Sequence, residues 1–152
     1  MQMLMVGKGG FYGPPLQFAQ LRSALAKAAG IPTTKMHIVS EEGDDVAVEV
    51  PDLDQFDLVE ANIYGSWDTP PDDPILYLLA HSDEEGVIEE EHMLPLASRL
   101  TELKGMVYDM FADEDTEKAR GMYRAIDHLA GTIAASYAEN IPVIFRIEEI
   151  PE

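Results

Sequence analysis

Residues 115–138 carry the most regular hydrophobic period in the chain, and this period limits the folds open to it. Apolar side chains recur there every three or four residues, which places them on one face of an α-helix. Asp113–Asp115 supply N-cap side chains, and Asn140 and Pro142 lie where the helix would end. The sequence therefore predicts one long amphipathic helix. Its apolar positions are Ala119, Met122, Tyr123, Ile126, Leu129, Ala130, Ile133 and Tyr137.

Shorter patterns before and after this helix predict a mixed fold. Helices are expected over 16–29 and over 89–104, the second with Pro95 near its first turn. The apolar run 75–80 is compatible with a buried strand or a helical turn, and 56–63 with a short strand or an irregular segment. The expected strands are 3–6, 36–39, 46–50 and 142–147, with a hairpin turn at 43–45 and a proline-rich loop at 65–74.

This order of elements predicts a single α+β domain over residues 1–152, with a small, mostly antiparallel sheet and about three helices. Apolar residues make up 46 % of the 152 residues and charged residues 26 %, which is close to the norm for folded domains. No apolar run approaches the ~20 residues of a membrane helix, and the start lacks the apolar stretch of a signal peptide. The absence of cysteine excludes disulfides, thiolate catalysis and cysteine-ligated zinc. A cytoplasmic location is the resulting expectation.

Charge is distributed unevenly along the chain. Residues 41–92 contain 18 acidic residues and no lysine or arginine, residues 1–40 four basic residues and no acid, and residues 93–152 eleven acids and six bases. The acidic segment, 41–92, cannot neutralise itself, and it disfavours nucleic acid because phosphates are bound by lysine and arginine. A basic protein surface is the partner that suits it. A solvated face that only keeps the protein soluble is the alternative.

The same asymmetry allows a weak, salt-dependent homodimer, in which the basic first segment docks on the acidic segment of a neighbour. Aromatic side chains beside acids are typical of protein interfaces, and Trp67 lies among the aspartates. The residues expected to bind the partner are Asp52, Asp54, Asp57, Glu60, Trp67, Asp68, Asp72 and Asp73.

The segment HSDEEGVIEEEH, residues 81–92, has the length and part of the pattern of a calcium-binding EF-hand loop. Gly86 falls where that loop turns sharply, Ile88 at its apolar anchor, and two acids at ligand positions. Both ends are histidines, and imidazole favours zinc, nickel or copper over calcium. A metal-free turn whose acids cap the following helix is the alternative. The candidate ligands of a divalent metal are His81, Asp83, Glu85 and His92.

Two further patterns bear on enzymatic function. The glycine-rich segment 7–13 lies between a predicted strand and a predicted helix, as phosphate-binding loops do, but its spacing departs from G-x-G-x-x-G. It is also typical of a tight turn. His37 and His128 are candidate general bases, whereas Ser40, Ser66 and Ser82 lack the surroundings of a nucleophile elbow. A small hydrolase is therefore kept only as an alternative.

The segment LLAHSDEEGVIEEEHMLPLASRLTEL resembles an uncharacterised family of small bacterial and phage proteins. That family carries a His-Ser-Asp-Cys-Asp-Gly turn followed by an Ala-x-Arg-Leu-x-x-Leu helix. Glu84 stands here in place of the cysteine, Glu85 in place of the second aspartate, and His92 where an acid is usual. The resemblance extends more weakly to 118–131 and 142–146, and it implies a fold and a phage or bacterial origin but no activity. The matching residues are His81, Ser82, Asp83, Gly86, Ile88, Ala97, Arg99, Leu100 and Leu103.

The function that these patterns favour is a non-enzymatic acidic interaction module, phage-encoded if the resemblance holds, that acts on a basic host or partner protein. Association steered by opposite charge is fast and sensitive to salt. No cofactor is expected beyond the divalent metal of the 81–92 alternative, and no membrane partner is expected.

Overall fold

The computed structural model describes residues 2–39, 43–52, 73–79, 86–149 and 151. Within these ranges the chain has three long helices, one helix of a single turn, and six strands, so the predicted α+β class is confirmed. The elements in chain order are β1 (Gln2–Val6), β2 (Phe11–Gly13), α1 (Pro15–Ala28), β3 (Thr33–Val39), β4 (Asp45–Pro51), α2 (Leu76–Leu79), β5 (Gly86–Ile88), α3 (Glu90–Ala112), α4 (Thr116–Ala138) and β6 (Val143–Glu149).

The main sheet has the strand order β2-β1-β6-β5, and every pair in it is antiparallel. The turn between β1 and β2 is built on Gly7 and Gly9, whose φ angles of +62° and +83° are strained for other residues. Segment 7–13 was expected to be a turn throughout, but its last three residues pair with β1 as β2. The second sheet is the predicted hairpin of β3 and β4, in which Met36 pairs with Val48.

Helices and sheet share one hydrophobic core. Alternate residues of β1, Leu4 and Val6, are fully buried, as the period of two in a strand requires. Phe18 of α1 packs its ring edge against Phe145 of β6, with 6.0 Å between the ring centroids. The predicted apolar face of α4 supplies Ala119, Ile126, Leu129, Ala130 and Ile133 to the buried set.

Helix α3 extends eight residues beyond the predicted end at 104, through Gly105 to Ala112. A glycine inside a helix costs about 1 kcal/mol relative to alanine. Leu103 and Val107 are fully buried on either side of Gly105, and this burial outweighs that cost. The ambiguous run 75–80 contains the helical turn α2, whereas the predicted segment 56–63 and most of the loop 65–74 lie outside the described residues.

Two helices end in the same way with different residues. After α1, Gly30 has φ +79° and the Ile31 N–H donates to the Ala26 carbonyl at 2.8 Å. After α4, Asn140 has φ +59° and the Ile141 N–H donates to the Ser136 carbonyl at 3.0 Å. Glycine and asparagine are the residues that this left-handed helix end favours.

Candidate functional site

His92 is the predicted metal ligand that lies among the described residues, whereas His81, Asp83 and Glu85 lie outside them. Its side chain is buried and stacks on the ring of Tyr77, with 4.1 Å between the ring centroids and 20° between the planes. Its Nε2 atom lies 3.5 Å from the Glu91 carboxylate. Burial, and then the charge of Glu91, raises the pKa of the Tyr77 hydroxyl. The described residues contain no cluster of three metal-ligating side chains, and the metal site stays a prediction.

Asp73, predicted to contact a partner, is bound within the chain. Its Oδ1 accepts hydrogen bonds from the Ile75 N–H and from Arg99 Nε, and its Oδ2 accepts one from the guanidinium of Arg99, each at 3.0 Å. Hydrogen bonding to Asp73 raises the pKa of Arg99, and Glu102 adds to this shift. The intramolecular role of Asp73 is thus a structural one, and its role toward a partner stays a prediction.

Two other carboxylates of the acidic segment contact side chains from the segment that precedes it. Glu49 of β4 pairs with Lys27 of α1, and Asp45 lies 3.3 Å from His37. Asp52 is half-buried, and its N–H donates to the Pro32 carbonyl at 2.7 Å. The other predicted partner-binding residues lie outside the described ranges: Asp54, Asp57, Glu60, Trp67, Asp68 and Asp72.

The glycine turn is packed against α4. A Cβ atom at Gly10 would approach the side chain of Thr132 to 3.0 Å, and the Gly9 carbonyl is 2.5 Å from Nε2 of His128. These contacts favour the interpretation of the glycine-rich segment as a tight turn, here over 7–10, rather than as a phosphate loop. Of the histidines considered as general bases, His128 holds this turn and His37 pairs with Asp45. Ser40, Ser66 and Ser82 lie outside the described residues.

A groove that the sequence patterns did not predict runs along α1. Its larger part, ≈ 600 Å³, lies between α1, β2 and the first half of α4, and its apolar walls include Phe11, Leu21 and Met122. A smaller part, ≈ 200 Å³, shares Gln20, Lys118 and Met122 with the first and continues to Val46–Glu49 of β4. We call the two parts together the α1 groove. Its remaining lining residues are Gln17, Ser23, Ala24, Lys27, Phe111, Asp115, Glu117, Gly121 and Ala125.

One end of the α1 groove is strongly acidic. The turn between α3 and α4 and the first turn of α4 carry exposed carboxylates at Asp113, Glu114, Asp115 and Glu117, which we call the acidic turn. Asp115 caps α4 by accepting a hydrogen bond from the Lys118 N–H at 3.0 Å. The Lys118 ammonium lies 4.6 Å from the centroid of the Phe111 ring. The groove therefore combines apolar walls with an anionic mouth.

Comparisons with known proteins supply no assignment for this arrangement. No protein-family model, curated protein or solved structure matches the chain. The resemblance carried by the residues around His81–Gly86 therefore stays a prediction. None of the helices in the described ranges has the length and apolar character that crossing a membrane requires. Function is accordingly inferred from the α1 groove and the charge around it.

Proposed function

We propose that the chain is a non-enzymatic, acidic interaction module that binds a basic amphipathic helix of a partner protein in the α1 groove. The observation that carries this proposal is that the carboxylates of Asp115 and Glu117 line the same cavity as the apolar side chains of Phe11, Leu21 and Met122. Apolar side chains of a helix, spaced three and four residues apart, fill such a groove, while its lysines or arginines meet the carboxylates. Glu49, which belongs to the acidic segment that the sequence points to, lines the smaller part of the groove.

Charge supports a basic partner over a neutral one. The chain has 29 acidic and 10 basic residues, a net charge of −19. Several of its cations are already engaged within the chain, among them Lys27 with Glu49, Arg99 with Asp73 and Lys104 with Asp127. The excess of carboxylates therefore has to be compensated from solution or from a partner. A basic partner would be attracted over a distance of about 10 Å at moderate salt.

The dimensions of the groove support a helix as the occupant. Helix α1 has 14 residues, and at about 1.5 Å per residue it presents a wall of roughly 21 Å. An incoming helix of similar length would place two or three apolar anchors against Phe11, Leu21 and Met122. The main cavity of ≈ 600 Å³ lies within the range of about 300–1,000 Å³ that is typical of binding pockets.

The test uses a fluorescent amphipathic peptide of leucine and lysine as the probe and measures its anisotropy with the full chain at low and at moderate salt. We expect binding that weakens as salt rises. Gly121→Leu fills the groove, since a Cβ at Gly121 meets no atom within 4 Å. The variant Gly131→Leu is the matched control, because Gly131 lies on the same helix and is equally open. We expect Gly121→Leu to weaken binding about tenfold, or about 1.4 kcal/mol, and the control to bind as the parent does.

Two charge-reversal variants distinguish binding in the α1 groove from non-specific attraction to an acidic surface. Glu117→Lys and Glu139→Lys change the net charge equally at opposite ends of α4, and Glu117 lines the groove. We expect Glu117→Lys to weaken binding several-fold more than Glu139→Lys. Equal effects of the two substitutions, together with an unaffected Gly121→Leu variant, would overturn the proposal and leave non-specific attraction by net charge.

A further inference from the structure

A second cleft lies between α3 and α4, on a different face of α4 from the α1 groove. Its volume is ≈ 340 Å³. A Cβ atom at Gly105 meets nothing within 4 Å, so the missing side chain of this glycine helps to open the cleft. We call it the tyrosine–arginine cleft. Its lining residues are Gly105, Tyr108, Asp109, Arg120, Tyr123 and Arg124.

The two arginines of this cleft differ from most cations of the chain. Within the described ranges, the guanidinium groups of Arg120 and Arg124 form no ion pair and no hydrogen bond, and both side chains are exposed. By contrast, Arg99, Lys104 and Arg146 each contact a carboxylate. An excess of 29 acids over 10 bases offers many potential partners, so self-neutralisation does not explain two free guanidinium groups side by side.

Their spacing adds to the case for an anionic ligand. Residues four apart lie on the same face of a helix, and like charges at this spacing repel each other. An anion bound between Arg120 and Arg124 attracts both guanidinium groups and offsets their mutual repulsion. Guanidinium groups bind phosphate through pairs of parallel hydrogen bonds, and two adjacent guanidinium groups suit the dianion of a phosphate monoester.

The tyrosines supply a surface for a planar ring. Tyr108 and Tyr123 meet edge to face, with 6.3 Å between the ring centroids and 85° between the planes. Tyr123 remains 37 % exposed, and the Lys104 ammonium lies 5.2 Å from the centroid of its ring. Planar bases stack on such aromatic rings in nucleic-acid complexes. Asp109, also in the cleft, offers a carboxylate to hydroxyl or amino groups of the ligand.

We infer that the tyrosine–arginine cleft binds a small ligand that combines a planar aromatic ring with a phosphate monoester. Arg120 and Arg124 hold the phosphate, and Tyr108 and Tyr123 contact the ring. A nucleoside monophosphate and a phosphorylated tyrosine side chain share this chemistry. The volume of ≈ 340 Å³ accepts one such group. This site is independent of the peptide binding proposed for the α1 groove.

Isothermal titration calorimetry of the full chain with four probes tests the inference. The probes are adenosine monophosphate, phosphotyrosine, adenosine and inorganic phosphate. We expect at least one of the two phosphorylated ring compounds to bind about tenfold tighter than both adenosine and phosphate, because only it engages rings and guanidinium groups together. The tighter of the two identifies the source of the ligand. The inference is overturned if neither binds better than inorganic phosphate.

Variants place the binding in the cleft. Gly105→Leu fills it and replaces a helix-disfavouring residue, so this variant is expected to fold and to lose binding of the preferred probe. Arg120→Gln and Arg124→Gln are each expected to weaken binding about five- to tenfold. The controls Gly131→Leu and Lys35→Gln are expected to bind as the parent does. If Gly105→Leu binds the preferred probe as the parent does, the inference is overturned. Gly105→Leu is also expected to bind the amphipathic peptide as the parent does, which shows that the cleft and the α1 groove bind independently.

Discussion

Asp73 and Arg99 are joined by two parallel hydrogen bonds of 3.0 Å, which tie the start of α2 to the middle of α3. Both side chains are about three-quarters buried, with 26 % and 24 % of their surfaces exposed. Arg99 also bonds the more exposed Glu102, one turn further along the same helix. The acidic segment is thus anchored to the helical layer by one of its own carboxylates.

Removing this carboxylate is expected to destabilise the fold. Asp73→Asn retains the size of the side chain but loses its charge-assisted pair with Arg99, at an expected cost of about 1–2 kcal/mol in the free energy of unfolding. Glu102→Gln removes the exposed pair to the same arginine and is expected to cost less than about 0.5 kcal/mol. Urea denaturation of both variants measures the difference. Equal losses would contradict the structural role assigned to Asp73.

Stability is expected to fall with acid through the contact of Glu49 with Lys27. The hydrogen bond and charge of Lys27 hold the pKa of Glu49 below its ordinary value of 4.5. A carboxyl group whose pKa is lower in the folded than in the unfolded state stabilises the fold at pH values above its unfolded-state pKa. This contribution disappears as the pH falls through the folded-state pKa. The stability difference between the parent and Glu49→Gln should be constant well above pH 4.5 and decrease as the pH falls through the lowered pKa of the folded state. A difference that grows on acidification would contradict this assignment.

The metal hypothesis for 81–92 is tested through His92. Because its ring stacks on Tyr77, His92→Phe retains a ring of similar size and is expected to change the free energy of unfolding by less than about 1.5 kcal/mol. If the turn binds zinc, added zinc raises the melting temperature of the parent by mass action but not that of His92→Phe. An equal response of both chains, or none, would remove His92 from the set of ligands.

The helix end at Asn140 offers a substitution that should stabilise the protein. Asn140 has φ +59°, whereas the equivalent position after α1 is Gly30. Glycine adopts this conformation without steric cost, so Asn140→Gly is expected to raise the free energy of unfolding by about 0.5–1 kcal/mol. Gly30→Asn is expected to lower it by a similar amount. Thermal denaturation of the two variants checks both signs, and a shift in the same direction for both would contradict the shared geometry.

Local sequence patterns were sufficient for the long elements of the fold. The period of three and four residues in α4 and the capping side chain of Asp115 located this helix within one residue at its start. The short strands β2 and β5 were missed, because three residues carry too little periodicity and both strands lie beside glycines. Each of these strands is held by a longer neighbour: β2 pairs with β1, and β5 pairs with β6, which is distant from it in sequence.

The candidate sites were harder to predict because they depend on long-range packing. The α1 groove brings Phe11 and Leu21 to Met122, about a hundred residues later in the chain, and no spacing rule relates them. The acidic turn was interpreted only as a helix cap. Arg120 and Arg124 show helical spacing in the sequence, but their lack of partners appears only when α3 and α4 are paired.

The position of β6 between β1 and β5 has a consequence for synthesis of the protein. Gln2 of β1 pairs with Glu149 of β6, so β1 gains this pairing only after the other three strands of the main sheet have been synthesised. Until then Leu4 and Val6 lack this neighbour, while the local β3–β4 hairpin and the long helices are free to form. The nascent chain therefore presents the apolar residues of β1 to the cellular folding machinery until β6 has been synthesised.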